Sequence, residues 1–544
     1  MSGERSDRNS PGGTATRSAL ILIIAAAAAL RFWGLRFGLP QPFARPDEEV
    51  IADVALGVLR DPNPHFFDWP TLFMYLTAAA YAVLFAFERA LGGAIRHATI
   101  AKAEFEPVLH LIPRAISATS GVLTVAALYG AARELFSQRV ALLSAGCLAL
   151  TYLHVRDSHF GVTDVPVTFL TVCALWAGLR CATKGLTNSR VAMAGLLCGL
   201  ATTTKYNGAL IVLPAVMAII AQTVVRQPRA VGPAIRALGL LGLCATVAFL
   251  AGTPFAALDW RTFLPAVIGV RHHLARGHVV LTKGWTYHVV FTFWYGVGPL
   301  LMAAALAGAC WMIAQEPWPA ALVLVFPVSY YAVVGSGLTV FVRYMMPMVP
   351  FICLTAAYCV DRVGSTVGDW TRDTRRPPAI ASYALAAVII APTAAASVSF
   401  DRLMSHVDTR VLGADWVESQ FPTGTSIYQT GIGFGYLIPT PRRRYTQYLL
   451  NERTGGFEVH GRPAVDLPDL IVLLESPLAA YSQIPSQIHA LVAKDYRLAA
   501  TFEGAPAAGI AGTAYDLDDA FYAPFGGTDR VARPGPQVSI FVRR

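Results

Sequence analysis

The chain has 544 residues, of which 55% are hydrophobic and only 14% charged. That balance excludes an ordinary soluble protein, which at this length divides into several domains with about 25% charged residues. The formal charge of +9 is not a sign of nucleic-acid binding, because much of the excess falls in short loops between apolar blocks, where positive residues set membrane orientation.

Residues 1–17 form a polar tail containing Gly, Ser and Pro, expected to be disordered and cytoplasmic. Ten nearly uncharged blocks follow, at 18–30, 115–129, 141–153, 165–179, 209–223, 237–250, 289–313, 320–334, 349–360 and 379–395. Crossing a bilayer takes about 20 residues, so some blocks borrow from their flanks. The first lacks a small-residue cleavage site and runs on into Arg31-Phe32-Trp33, which reads as a retained span rather than a signal peptide. Segment 70–87 begins with Pro70 and carries Tyr75 and Tyr81. Counted as a span, it puts the arginine-rich loops on alternating sides. Left out, it makes Arg133 and Arg139, Lys184 and Arg190, Arg226, Arg229 and Arg236, and Arg372, Arg375 and Arg376 all cytoplasmic. The loops 36–111, 154–163, 256–288 and 399–544 then lie together outside. The reading is therefore about eleven spans over 18–398, with 70–87 lying in or partly entering the interface. A twelfth span is the alternative.

After residue 399 the composition turns to that of a soluble domain. Strand-like runs at 470–474 and 538–542, a helical stretch at 411–421 and turns at Pro422-Thr423-Gly424 and Pro534-Gly535-Pro536 predict a small α/β domain over 399–544. All eight cysteines fall in apolar stretches and none forms a CxxC, which argues against a disulfide framework or a cysteine metal site.

Two acidic loops carry the chemistry. Arg45-Pro46-Asp47-Glu48-Glu49 follows the first span; its structural reading is a helix start, with Asp47 as cap and Glu48 and Glu49 favouring the dipole of a helix running to Leu59. His154-Val155-Arg156-Asp157-Ser158-His159, ending in Thr163-Asp164-Val165-Pro166, is a tight polar run between two spans; Thr163 or Asp164 caps the next helix, with Pro166 in its first turn. Facing one side, both loops would converge on a pocket at the membrane surface, where a lipid substrate meets an aqueous one.

The order of features resembles the large integral-membrane glycosyltransferases of the GT-C type, in the branch holding the phospholipid carrier-dependent protein O-mannosyltransferases and aminoarabinose transferases. The matching pieces are Pro46-Asp47-Glu48, then Phe66-Phe67-Asp68-Trp69-Pro70-Thr71-Leu72-Phe73-Met74-Tyr75, Pro113-Arg114, and Thr163-Asp164-Val165-Pro166. They continue with the run from Gly199 to Lys205-Tyr206, Phe341-Val342-Arg343-Tyr344 through Pro347 and Pro350, and the tail Arg533-Pro534-Gly535-Pro536. The similarity covers nearly the whole chain and implies an all-α GT-C membrane domain followed by an extracytoplasmic α/β domain.

The resemblance places the catalytic base on Asp47, with Glu48 and Asp164 completing the catalytic set. Inverting transfer needs a carboxylate to take the acceptor's proton. The leaving polyprenyl phosphate needs cations against its growing charge. Arg114, Lys205 and Arg343 are the candidates, with Arg45 and His159 weaker; the alternative for each is snorkelling or a structural pair. Where the aminoarabinose branch has a phosphate-holding lysine before the proline of the first-loop motif, this chain has Asp68 followed by Trp69, which argues against that activity. Asp47 and Asp164 with water could hold Mg²⁺ or Mn²⁺. His272, His273 and His278, among Arg271, Arg276 and Lys283, read as a basic lipid-facing or substrate-facing surface. The expected partners are a polyprenyl-phosphate sugar, membrane lipids and a glycan, lipid or protein acceptor, in a bacterial inner membrane. The rival reading is a transporter or flippase for an anionic polyprenyl lipid, although no repeat relates the two halves.

Overall fold

The structure is a computed structural model that describes residues 11–90, 107–225, 231–277, 279, 281–370, 378–437 and 445–544. Arg226, Arg229, His278, Arg372, Arg375, Arg376 and the first ten residues lie outside the described residues.

The helices run in chain order as α1 (Pro11–Phe32), α2 (Glu48–Gly57), α3 (Leu72–Ala90), α4 (Pro107–Leu135), α5 (Gln138–Leu150), α6 (Tyr152–Asp157), α7 (Asp164–Lys184) and α8 (Asn188–Thr202). Then come α9 (Val212–Ile220), α10 (Val231–Gly252), α11 (Phe255–Leu258), α12 (Trp260–Arg276), α13 (Gly284–Tyr287), α14 (Trp294–Gly296), α15 (Pro299–Gln315) and α16 (Pro317–Val334). The last helices are α17 (Val349–Trp370), α18 (Pro378–Met404), α19 (Thr409–Gln420) and α20 (Ser486–Asp495).

Among the described residues nine helices are long and apolar enough to cross a bilayer, and ten if the bent pair Gly284–Gly296 and Pro299–Gln315 is one span. The sequence leads to about eleven. The difference lies in 13-residue α5 and 15-residue α8, which at 1.5 Å per residue reach about 20 and 22 Å of a roughly 30 Å core. Conversely α3, expected to lie in the interface, is a 19-residue helix of spanning length.

The chain divides into two compact units. One holds α1, Gly57–Val83 and Pro113–Val398; the other holds Trp33–Leu56, Leu84–Ile112 and Ser399–Arg544. The division breaks at 398/399 and adds the segment carrying Asp47 to the same unit as the C-terminal domain.

In the helical unit, small residues let backbones approach where lipid gives helices no hydrophobic drive to associate. A methyl on Gly308 of α15 would run into the Thr355 carbonyl of α17, and one on Gly199 of α8 would run into that of Ala245 in α10. Gly308→Ala is expected to cost about 1–3 kcal/mol by forcing this contact open. The check is a lower melting temperature in detergent, against no change for Gly239→Ala, where nothing lies within 4 Å.

The C-terminal domain is built on a seven-stranded mixed sheet of β1 (Ser426–Gln429), β2 (Thr446–Leu450), β3 (Phe457–Val459), β4 (Arg462–Pro463), β5 (Leu470–Glu475), β6 (Tyr496–Phe502) and β7 (Gln537–Arg543). Its strand order is β4-β3-β2-β1-β5-β7-β6, with β1 parallel to β2 and β5 and the other pairs antiparallel. Central β5 is covered on both sides. Leu470, Val472 and Leu474 pack with Val417 of α19, while Ile471 and Leu473 pack with Ile488 and Val492 of α20. Burial on both faces explains its unbroken apolar run. The predicted strands and helix match β5, β7 and α19 to within two residues.

Candidate active site

The site residues fall into two groups, one in each unit. In the helical unit the run 151–164 is short because α5 ends at Leu150 and α7 begins at Asp164, with Pro166 in its first turn as the spacing predicts. Thr163 gives no side-chain cap bond. The run is not a solvated loop: every residue from Thr151 to Thr168 is buried. Arg31, at the end of α1, explains part of this. Its guanidinium donates to the Ala149 and Leu148 carbonyls at 3.0 and 3.1 Å, and to His154 Nδ1 at 2.8 Å. A guanidinium only donates, so His154 is an acceptor at Nδ1 and carries its proton on Nε2.

Asp164 is the centre of this group. Lys205, just beyond the end of α8, places Nζ 2.5 Å from Asp164 Oδ1, and Arg343 places Nε 4.0 Å from Oδ2. The three side chains are 3%, 12% and 7% exposed. One carboxylate thus stands between two cations in a largely dehydrated site. Aromatic faces hold the cations in place: Lys205 lies 4.7 Å from the Tyr344 ring centre and Arg343 4.0 Å from that of Phe341. Tyr330 ties the floor together, donating to the Tyr344 carbonyl and accepting from Asn207 Nδ2, both at 2.8 Å. Tyr330 and Tyr344 were not singled out in the sequence. The run around Arg343 was the only signal for Tyr344, and a tyrosine inside an apolar span was the signal for Tyr330.

Arg114 is fully buried on α4, where the turn at Gly161 closes on Pro113 and Arg114. His159 is also fully buried and donates from Nδ1 to the Val155 carbonyl at 2.9 Å. The motif at 66–71 docks beside Lys205. Thr71 donates to the Gly252 carbonyl at 2.7 Å, and Tyr206 to that of Phe67 at 2.8 Å. Asp68 is exposed. On α12 no residue is buried; Phe263 meets the rings of Phe67 and Tyr206, and His272 and His273 are exposed.

The second group lies in the other unit. Glu48 opens α2 as predicted, and the Ile51 amide donates to the Asp47 carbonyl at 3.1 Å. Asp47 is not an ordinary cap, however. Its φ is +76°, where a cap residue is extended. A left-handed non-glycine backbone costs about 1–3 kcal/mol and survives only where its surroundings over-determine it, a pattern that clusters at functional sites. Glu48 is fully buried. Arg45 is committed elsewhere, in a two-pronged pair with Asp519.

Glu49, next in line, has a buried Oε2 with no hydrogen-bond partner. Burial, with help from the charges of Asp47 and Glu48, pushes its carboxyl up to about 8. A raised carboxyl stabilises the fold most at low pH, and that contribution is lost as pH climbs through about 8. Melting temperature is therefore expected to fall between pH 5 and 9, and Glu49→Gln to flatten the decline. An equally steep decline in the variant would show that another group causes it.

Among the described residues no three His, Cys, Asp or Glu side chains gather to hold a metal. The donor set at Asp164 does not fit one either, since its two oxygens face Lys205 and Arg343. All eight cysteines are free.

Residues 111–254 match the family described as dolichyl-phosphate-mannose-protein mannosyltransferase. Among solved structures the chain is similar to ArnT from Cupriavidus metallidurans in the apo state, with a TM-score of 0.54 and 15% identity over 97% of this chain and 98% of that one. The same protein bound to undecaprenyl phosphate matches with a TM-score of 0.54 and 15% identity, covering 96% and 97%. An oligosaccharyltransferase from Archaeoglobus fulgidus in the apo form matches with a TM-score of 0.49 and 13% identity over 81% of this chain, which spans 65% of its length. No curated protein matches the chain. The fold is the GT-C fold, helical membrane domain and C-terminal sheet domain together, and the chain is an integral membrane protein.

Proposed function

We propose that the chain is a membrane glycosyltransferase that moves a sugar from a polyprenyl-phosphate donor to an acceptor by inverting single displacement. The buried Asp164–Lys205–Arg343 cluster carries this reading. Its two cations, held close together in a largely dehydrated site, suit the phosphate of a lipid carrier, and the charge on that phosphate grows as the glycosidic bond breaks. Lys205 and Arg343 contact the phosphate, with Arg114 in support, while Asp164 sets how far the two cations stand apart. Asp47 takes the proton from the acceptor hydroxyl or amine as it attacks the anomeric carbon; its strained backbone supports that role. Glu48 accompanies it in the same loop.

The family match and the GT-C fold support a transferase, and the structural neighbour bound to undecaprenyl phosphate supports a polyprenyl carrier. The donor is taken to be a hexosyl or pentosyl lipid, and the acceptor a glycan, lipid or protein of the cell envelope. The active site and C-terminal domain are placed on the extracytoplasmic side of a bacterial inner membrane. This fits the positive loops that the sequence puts inside.

The test supplies purified protein in nanodiscs with radiolabelled polyprenyl-phosphate hexose and a cell-envelope extract. Label moving to an extract component sustains the proposal and names the acceptor class. Label that crosses the bilayer still attached to its carrier would sink it in favour of a flippase.

A further inference from the structure

The segment leading to Asp47 is built into the C-terminal domain. Arg45 Nη1 and Nη2 each lie 2.9 Å from an oxygen of Asp519, a residue 474 positions away, and both side chains are almost completely buried. The guanidinium sits 5.6 Å from the ring centre of Phe521, and Phe521 meets Phe37 edge-on at 5.9 Å. The same segment is held twice more. Gln41 donates to the Tyr436 carbonyl, and Phe43 packs edge-on against Phe434 while its carbonyl accepts from Arg410 at 3.3 Å. Arg410 is itself fixed by a two-pronged pair with Asp408.

A buried pair of this kind is poor evidence for stability, because apolar residues of similar volume would serve as well. What it does supply is geometry, since a buried guanidinium hydrogen-bonded to Asp519 through Nη1, with Nη2 beside the second oxygen, has little freedom to turn. Here its orientation is passed directly to the base. Arg45 Nη1 also donates to the Pro46 carbonyl at 3.3 Å, the carbonyl of the peptide entering Asp47. The proline between them has a fixed φ, so little freedom remains before the left-handed turn at Asp47. We propose that Asp519 of the C-terminal domain is a positioning residue for the base Asp47, acting through Arg45. The inference rests on Asp47 being that base. It gives the C-terminal domain a part in holding the base.

The test uses the full chain in nanodiscs with radiolabelled polyprenyl-phosphate hexose. Two variants are compared with wild type: Asp519→Asn, and the double variant Arg45→Met with Asp519→Leu, which removes both members of the pair together. In both, kcat is expected to fall about 30- to 100-fold with the donor KM unchanged, the loss that a misplacement of about 1 Å brings. Amide hydrogen exchange should quicken over 43–52 while β1 and β5 exchange as before. If the double variant melts like wild type and regains full kcat, the pair is merely structural and the proposal is overturned. If wild type transfers nothing, the transferase reading has failed, and exchange alone decides. Faster exchange over 43–52 in the variants sustains the link from Asp519 to Asp47, and unchanged exchange refutes it.

Discussion

Asp47→Asn is expected to lower sugar transfer by about 10²–10⁴-fold, the range a positioned general base contributes, while leaving lipid binding at the wild-type level. The amide keeps the size of the side chain and the strained φ of +76°, so loop and helix start survive. What it loses is the ability to accept a proton. Asparagine also tolerates left-handed backbone better than most residues, so the melting temperature should hold or rise slightly. The combination is diagnostic. A flippase would tolerate the change, since moving a lipid requires no base. Equal transfer by variant and wild type, measured in the same nanodiscs, would remove Asp47 from the chemistry.

Lys205→Met carries the second large effect. The methionine keeps much of the lysine stem's apolar contact with the Tyr344 ring and removes the charge. Asp164 still has Arg343 at 4.0 Å, so no carboxylate is left alone in the interior and the fold is expected to persist. One of the cluster's two cations, however, is gone. Losing one preorganised group on a developing oxyanion costs about 10²–10³-fold in kcat, and the donor KM should rise as well because the phosphate is charged in the ground state. Arg343→Met should act in the same direction. Additive losses in the double variant would mean that the two cations act independently. A double loss no greater than either single one would mean that they serve the phosphate as a unit. If Lys205→Met binds and turns over the lipid donor normally, the cluster is a structural pair and the phosphate lies elsewhere.

Several features were legible from local pattern because local physics decides them. The run 470–474 reads as a strand because β5 is covered on both faces, and 411–421 reads as the helix α19. Glu48 and Asp164 begin helices where the acidic first turn and Pro166 place them. The spans were less legible where tertiary packing substitutes for length. Helices α5 and α8 are shorter than a bilayer core, and the close approach of α8 to α10 at Gly195 and Gly199 is a contact that no hydropathy window registers. The run at 154–164 read as a tight polar loop on the outer side between two spans. It is buried because Arg31 and the turn at Gly161 satisfy and cover it.

By itself, then, the sequence determined that the chain is a membrane protein with a C-terminal α/β domain, and which polar residues are unusual for such a place. Apolar length, positive loops and strand periodicity are properties of neighbouring residues, so they survive without a fold. The tertiary structure decided which charges meet. It joined Asp164 to Lys205 and Arg343, paired Arg45 with Asp519, and put the segment bearing Asp47 into the C-terminal unit. Ion pairs between distant residues leave no period or composition in the chain, and whether a cation is answered from within depends on what else the fold buries beside it.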